Sequence, residues 1–313
     1  MTRHLLDLDD IGPEGVMSVI RLAAEGKTES LAGSSVAMVF EKPSARTRNA
    51  TEMAVVDLGG HPVMINDAEV GIDRRETAED VARTLGCYHQ IIAARVNDHE
   101  VLIRMRAALD NASTGVSVVN LLSDRSHPCQ AIADMLTILD EHGGISSLRA
   151  LSGQTLTYVG DANNVTISLA QAALSLGINV RVAAPEGYQL DDDTTNALKG
   201  FGVSSGASLT RFTDPMEAAA GADILYTDVW TSMGQEAEAE VRRIALGRYS
   251  ISEELLEVAR SEAIVLHCLP AHRGEEIAAT VLEGSRSRVW RQAAHRRTAM
   301  LGIFRWVNGE DRA

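Results

Sequence analysis

Cysteine is scarce. Cys87, Cys129 and Cys268 are too few and too scattered in 313 residues for a disulfide framework or a CxxC metal site. Basic charge is short as well, with 29 Lys and Arg against 43 Asp and Glu and a formal net charge of -14. So acidic a chain argues against general affinity for nucleic acid or an anionic membrane, although a locally basic pocket can still take an anionic small molecule. No apolar run reaches the ~18 residues needed to span a bilayer, and the N-terminus lacks the charged-then-apolar pattern of a signal peptide. No fixed-period repeat or low-complexity tract is present. These absences leave an expected cytoplasmic, soluble protein without nucleic-acid or membrane partners, long enough for two domains with separate cores.

Short β-branched runs alternate with longer Ala- and Leu-rich segments at helical period, which predicts an α/β fold of parallel sheets flanked by helices. Strands are expected over 35–41, 61–66, 90–96 and 115–121, with the clearest helices between them over 44–57 and 77–87. In the second half, strands over 155–160, 179–184, 223–228 and 263–269 are nearly continuous in apolar residues, as parallel strands covered on both faces are. Helices over 164–176, 191–201, 215–220 and 252–261 fall between them. A long helix over 128–140 leads into polar, Gly-rich sequence at 141–153. The expected division is therefore 1–141 and 142–291, two similar-sized domains joined by a helix. The C-terminal segment, about 292–313, has a helix over 292–307 and no strand after it, so it is expected to cross back and pack on the first domain.

Ligands of open parallel sheets sit beyond the carboxyl ends of the strands, and five segments at such ends carry chemistry. In Phe40-Glu41-Lys42-Pro43-Ser44-Ala45-Arg46-Thr47-Arg48, a hydroxyl residue at a helix start, a guanidinium and a second hydroxyl suit a phosphate; an ordinary capped helix with solvated arginines has the same composition. His127-Pro128-Cys129-Gln130 presents a histidine and an amide at a turn, able to donate to a carbonyl oxygen or simply to sit beside a helix cap. Cys129 there is expected to pack rather than react. Val159-Gly160-Asp161-Ala162-Asn163-Asn164 lacks two of the three glycines of a dinucleotide fingerprint, which excludes nicotinamide binding. Asn163 and Asn164 either cap the next helix or offer amides to a ligand.

The remaining two segments close later strands. Asp228, ending an apolar strand, suits a substrate ammonium, with Trp230 and Met233 as apolar walls or, alternatively, Trp230 as filling for the domain edge. In His267-Cys268-Leu269-Pro270-Ala271-His272-Arg273-Gly274, strand alternation turns His267 away from Cys268, so a nucleophilic thiol does not follow from adjacency. The two histidines lie five apart with no third ligand in view, which argues against zinc.

Together and in this order, FEKPSARTR at 40–48, HPCQAIADMLTI at 127–138, VGDANNV at 159–165, TDVWTSMGQE at 227–236 and HCLPAHRGEEI at 267–277 resemble the carbamoyltransferases, and within that superfamily most closely those that use ornithine. The resemblance spans nearly the whole chain. It implies that Ser44, Ala45, Arg46 and Thr47 hold the phosphate of carbamoyl phosphate, through side chains and backbone N–H groups. Arg95 bridges phosphate and carbonyl in that reading, His127 and Gln130 bind the carbamoyl group, and Arg296 reaches back to it. Asn164, Asp228, Ser232 and Met233 match positions that grip the α-amino and carboxylate groups of L-ornithine, while Cys268 and Leu269 match the end where the reacting amine lies. It further implies carbamoyl transfer without cofactor or metal, a homotrimer or multiple of trimers, and closure of two domains on substrate with the 230–235 loop moving.

Four departures from the family pattern stand out. Ala45 replaces a threonine, Ala162 a glycine and His295 an asparagine, and a family glutamine that reaches a neighbouring subunit has no clear match at 69–73. Two other readings compete: transfer to another amine such as putrescine, lysine or N-acetylornithine, and a catalytically silent metabolite-binding paralogue. A lone Asp228 favours a free α-ammonium over the first, and intact Arg46, Arg95, His127 and Arg296 argue against the second.

Overall fold

The computed structural model describes residues 2–231 and 236–312. Two compact units emerge, Met1–Ala133 with His295–Ala313 and Asp134–Ala294. In chain order the first contains α1 (Gly12–Glu25), β1 (Ser35–Phe40), α2 (Ala45–Asp57), β2 (His61–Asn66), the short α3 (Asp67–Val70), α4 (Ala78–Gly86), β3 (Ile91–Arg95), α5 (His99–Asn111), β4 (Ser117–Leu122) and the start of α6 (Pro128–Glu141). Its strands form one parallel sheet in the order β2-β1-β3-β4. Inner strands β1 and β3 are buried almost throughout because helices cover both faces, which is why their sequence is a plain apolar run. Pro62, which has no N–H to give a ladder, sits in β2 at the sheet edge.

The second unit continues with β5 (Thr155–Val159), α7 (Asn164–Ser175), β6 (Asn179–Ala183), α8 (Asp192–Gly202), β7 (Leu209–Phe212), α9 (Pro215–Ala219), β8 (Ile224–Thr227), α10 (Ala239–Leu246), α11 (Glu253–Val258), β9 (Ile264–His267), α12 (Ala279–Leu282) and α13 (Val289–Val307). Its parallel sheet runs β7-β6-β5-β8-β9. Val159, Leu225, Val265, Trp230, Ile251 and Leu282 belong to its core.

The portion of α13 from His295 onward packs in the first unit, as the sequence anticipates for its C-terminal helix. Gly302 allows the approach to α1: a Cβ there would lie 2.3 Å from the Val19 carbonyl oxygen. Arg297 donates to Asp57 of α2 at 2.5 Å, and Arg296 to Gln130 of α6 at 2.6 Å.

The α/β class and two parallel sheets agree with the sequence expectation. The structure adds elements that were not expected: α1, α5 and α10, the short helices α3 and α12, and strand β7. Only Leu209 of β7 is buried, since β7 is an edge strand with Thr210 and Arg211 exposed, so it carries no apolar run. Among the described residues no helix is long and apolar enough to cross a membrane.

Candidate active site

In the first unit the site begins where β1 gives way to α2. Ser44 is extended, with φ −156°, and caps the helix: its Oγ accepts from Thr47 N at 3.3 Å and lies 3.1 Å from Thr47 Oγ1. A cap of this kind leaves first-turn N–H groups facing beyond the strand end, where the helix dipole favours an anion. Ala45 and Arg46 are exposed on that turn, and Thr47 is buried beneath it.

Two more strand ends and one helix converge on this turn. Arg95 closes β3 opposite Phe40 of β1, at an irregularity in the pairing with β4. Burial first, then repulsion from Arg296 and Arg46, bring its guanidinium down to about 10, which leaves it cationic at neutral pH. Its buried Nε finds no hydrogen-bond partner among the described residues. A desolvated donor of that kind suits a group whose partner is a ligand. From α13, Arg296 Nη1 donates to Gln130 Oε1 at 2.6 Å and Nη2 to Thr47 Oγ1 at 3.3 Å. His127, buried just ahead of α6, is held well below the ordinary imidazole value by burial, then by Arg296, Arg95 and Arg46. It is therefore a neutral imidazole among three guanidiniums. Segments at 44–47, 95, 127–130 and 296 thus meet in one cationic cluster built for a small anion.

Cys129 has no part in this chemistry. Its thiol is buried, donates to Asn120 O at 3.2 Å and is pushed up to about 12 by burial. At 69–73, Glu69 accepts from Asn66 N at 2.5 Å as a cap, and Asp73 takes Arg104 at 2.5 Å. A cavity of about 430 Å³ in this unit, between Asp7, Asp10, His99 and Arg125, is lined by none of the cluster residues.

In the second unit three adjacent strands, β5, β8 and β9, each deliver one polar group at the carboxyl end. Gly160 after β5 has φ +138°, with a would-be Cβ at 3.4 Å from Thr227 Oγ1. The next turn lets Asn163 cap α7, accepting from Val165 N at 2.9 Å and Thr166 N at 3.3 Å. Asn163 Nδ2 also donates to Asp228 Oδ2 at 3.2 Å, while Asn164 Oδ1 accepts from Val165 N at 3.1 Å. Asp228, buried past β8, accepts on Oδ1 from Val229 N and from Cys268 Sγ, both at 2.8 Å. Asn163 therefore takes the capping role, and its amide is turned to Asp228.

Trp230 lies in the core, 4% exposed, and takes the packing role rather than that of a pocket wall. Ser232 and Met233, and with them most of the loop expected to move, lie outside the described residues. Leu269 has φ +60° and precedes a cis bond to Pro270.

The HCLP segment corrects one expectation. Strand β9 stops at His267, so alternation no longer separates its side chain from that of Cys268. Ligand-type atoms of Asp228, His267 and Cys268 all come within 4.8 Å of one another, as do those of His272, Glu275 and Glu276. Each histidine thus has two further ligand-type neighbours, Asp228 and Cys268 for His267, and Glu275 and Glu276 for His272. Hydrogen bonds already engage the first set: the thiol donates to Asp228, His267 Nδ1 accepts from Leu269 N at 2.9 Å, and Nε2 meets Glu276 Oε1 at 3.0 Å.

Two buried pairs escaped the sequence reading. Arg242 of α10 donates to Asp161 Oδ2 at 2.7 Å and to Trp230 O at 3.1 Å, and it lies over the Tyr188 ring at 5.2 Å. Burial raises Asp161 to about 6, against the pull of Arg242 and with help from Asp228 and Glu238. The other pair is His267 with Glu276. Neither partner stands in a spacing that announces it.

Family comparison agrees with both halves. Residues 3–140 match the carbamoyl-P binding domain of aspartate/ornithine carbamoyltransferase, and residues 152–307 match its Asp/Orn binding domain. The ornithine carbamoyltransferase of Acidothermus cellulolyticus is 44% identical over 95% of this chain and 93% of its own. The anabolic ornithine carbamoyltransferase of Pyrococcus furiosus is 40% identical over 98% of this chain and 96% of its own. A solved structure of ornithine carbamoyltransferase from Pyrococcus furiosus superposes with a TM-score of 0.90 and 39% identity, covering 98% of this chain and 97% of that one.

Proposed function

The chain belongs to the aspartate/ornithine carbamoyltransferase family, and from that premise we propose that it transfers the carbamoyl group of carbamoyl phosphate to the side-chain amine of L-ornithine, giving L-citrulline and phosphate. The anabolic relative in Pyrococcus furiosus supports a place in arginine biosynthesis, and the location proposed with it is the cytoplasm. The observation that carries the reading is Arg296 bound to both Gln130 and Thr47, next to a neutral His127 and to Arg46 and Arg95.

In this reading residues 1–141, with about 292–313, take carbamoyl phosphate, and residues 142–291 take ornithine. Ser44, Ala45 and Thr47 with the first-turn N–H groups hold the phosphate. Arg46, Arg95 and Arg296 match its charge, and His127 and Gln130 hold the carbamoyl group. Asn164, Asp228, Ser232 and Met233 hold the amino-acid end of ornithine, with Cys268 and Leu269 toward the reacting amine. The neutral amine attacks the carbamoyl carbon, a C–N bond forms, and the C–O bond to phosphate breaks with the electron pair leaving on phosphate. The amine proton passes to the leaving phosphate or to water. Nothing is oxidised or reduced, so the task left to the protein is electrostatic stabilisation of the oxyanion and the departing group.

Burial and the neighbouring guanidiniums favour the neutral form of His127, so the amine is expected to set the pH dependence, with activity rising toward alkaline pH. A flat profile between about pH 6 and 9, with chemistry rate-limiting, contradicts this assignment. A homotrimer or multiple of trimers is the proposed assembly, on the strength of the family resemblance. Light scattering is then expected to give at least three times the 33.6 kDa chain mass.

The direct test is citrulline formation by the purified protein, run beside Arg46→Ala. Wild-type turnover with a loss of about 10²–10³ in kcat for the variant is expected. Equal rates for the two proteins overturn the phosphate-site assignment.

A further inference from the structure

We propose that His267 and Glu276 are a buried positioning pair that sets the backbone carrying Cys268 and Leu269, and through it the seat of the attacking amine. The inference rests on the reading of Cys268 and Leu269 given above.

Both side chains are shut away from water, His267 at 1% exposure and Glu276 at 0%. A backbone N–H can only donate, so Leu269 N at 2.9 Å from His267 Nδ1 fixes that nitrogen as the bare acceptor. The imidazole proton is therefore on Nε2, which donates to Glu276 Oε1 at 3.0 Å. The same Oε1 accepts from His272 N at 2.5 Å. One imidazole–carboxylate pair thus grips the 268–272 turn at both ends.

The pair is itself anchored. His267 N donates to Gln292 Oε1 at 2.9 Å, and Ile251 N donates to the Glu276 carbonyl at 2.9 Å. Inside the turn, Leu269 at φ +60° holds a conformation that an L residue keeps only when its surroundings fix it, and its N–H bond to His267 supplies that fixing. Cys268 Sγ, one residue earlier, donates to Asp228 Oδ1 at 2.8 Å. A change in the His267–Leu269 bond therefore moves the thiol and its contact with Asp228. Stability alone does not call for such a pair, since apolar residues of similar volume usually serve a buried site as well or better.

Steady-state kinetics of the full-length protein with carbamoyl phosphate and ornithine test this, using His267→Asn, His267→Leu, Glu276→Gln and Glu276→Leu. Asn places a side-chain oxygen near the Nδ1 position, and Gln retains an oxygen acceptor for the His267 and His272 N–H groups. Glu276→Gln is expected to keep kcat/KM for ornithine within about fivefold, and His267→Asn, which keeps the Leu269 bond but loses the donor to Glu276, is expected to fall between it and the Leu variants. The two Leu variants are expected to lose about 10²-fold, the scale of a misplacement near 1 Å, with KM for carbamoyl phosphate unchanged. Wild-type ornithine kinetics in the Leu variants, or losses shared equally by both substrates, overturn the proposal. Where a Leu variant fails to fold, imidazole ¹⁵N shifts of the wild type decide: a proton on Nε2 with Nδ1 bare supports the pair, and a proton on Nδ1 refutes it. Cys268→Ala separates the two layers of inference. If Cys268→Ala leaves ornithine kinetics intact, the underlying reading of the turn falls and the pair's role with it. If Cys268→Ala is impaired while the Leu variants are not, only the positioning role fails.

Discussion

At the scale of residues, the chemistry of the first unit comes from putting like charges close together. Burial, then the guanidiniums of Arg296, Arg95 and Arg46, keeps His127 neutral, and the mutual repulsion of the three arginines is one that an anionic ligand would relieve. Arg296→Gln is therefore expected to lower kcat about 10²–10³-fold, with little change in KM for ornithine. A rise in ornithine KM at constant kcat, measured by initial rates, would move Arg296 to the wrong substrate. The residue types in this cluster were legible in the sequence because hydroxyls and guanidiniums crowd into 44–48. What sequence could not reveal is that Arg296 bonds Gln130 and Thr47, which lie 166 and 249 positions away. The Asp161–Arg242 bond spans 81 positions and was invisible for the same reason. Only the fold brings such partners within reach.

At the scale of elements, the regular units follow from caps and apolar period. Ser44, Thr77 and Asp98 each accept a first-turn N–H and so start α2, α4 and α5 where the chain leaves a preceding loop. Helix α5 carries a readable signal in the sequence, a capping Asp98 followed by buried Val101, Leu102, Met105 and Leu109 at helical spacing. Strand β7 had none, since an edge strand with a single buried residue lacks both alternation and an apolar run. The contact of α13 with α1 makes a sharper demand on sequence. Gly302→Ala gains helix propensity, yet its Cβ meets the Val19 carbonyl at 2.3 Å and Ala23 Cβ at 2.7 Å. A net loss of about 1–3 kcal/mol in urea unfolding is expected from overpacking. An unchanged or higher stability would show that α13 and α1 can separate at no cost.

At the scale of the whole molecule, pH acts through buried histidines. His4, His99 and His127 all titrate below their ordinary value, chiefly through burial. Unfolding lets each of them bind a proton near pH 6.5, so stability is full above that value and falls as pH drops below it. Asp161, raised to about 6, acts in the opposite sense between its ordinary 3.8 and 6, which softens the fall on the acid side. Calorimetry from about pH 7.5 down to 6 is expected to show a falling Tm, and a flat or rising Tm would contradict this linkage.

The central claim concerns the whole chain's reaction, and one measurement reaches it most directly. The purified protein is given carbamoyl phosphate with ornithine, N-acetylornithine, putrescine, lysine or aspartate in parallel, and ureido product is measured against enzyme-free controls. A buried Asp228, bonded to Asn163 and Cys268, suits a free α-ammonium, so selective formation of citrulline is predicted. Comparable or faster carbamoylation of N-acetylornithine or putrescine would contradict the account, because neither offers the α-ammonium group for which that carboxylate is assigned.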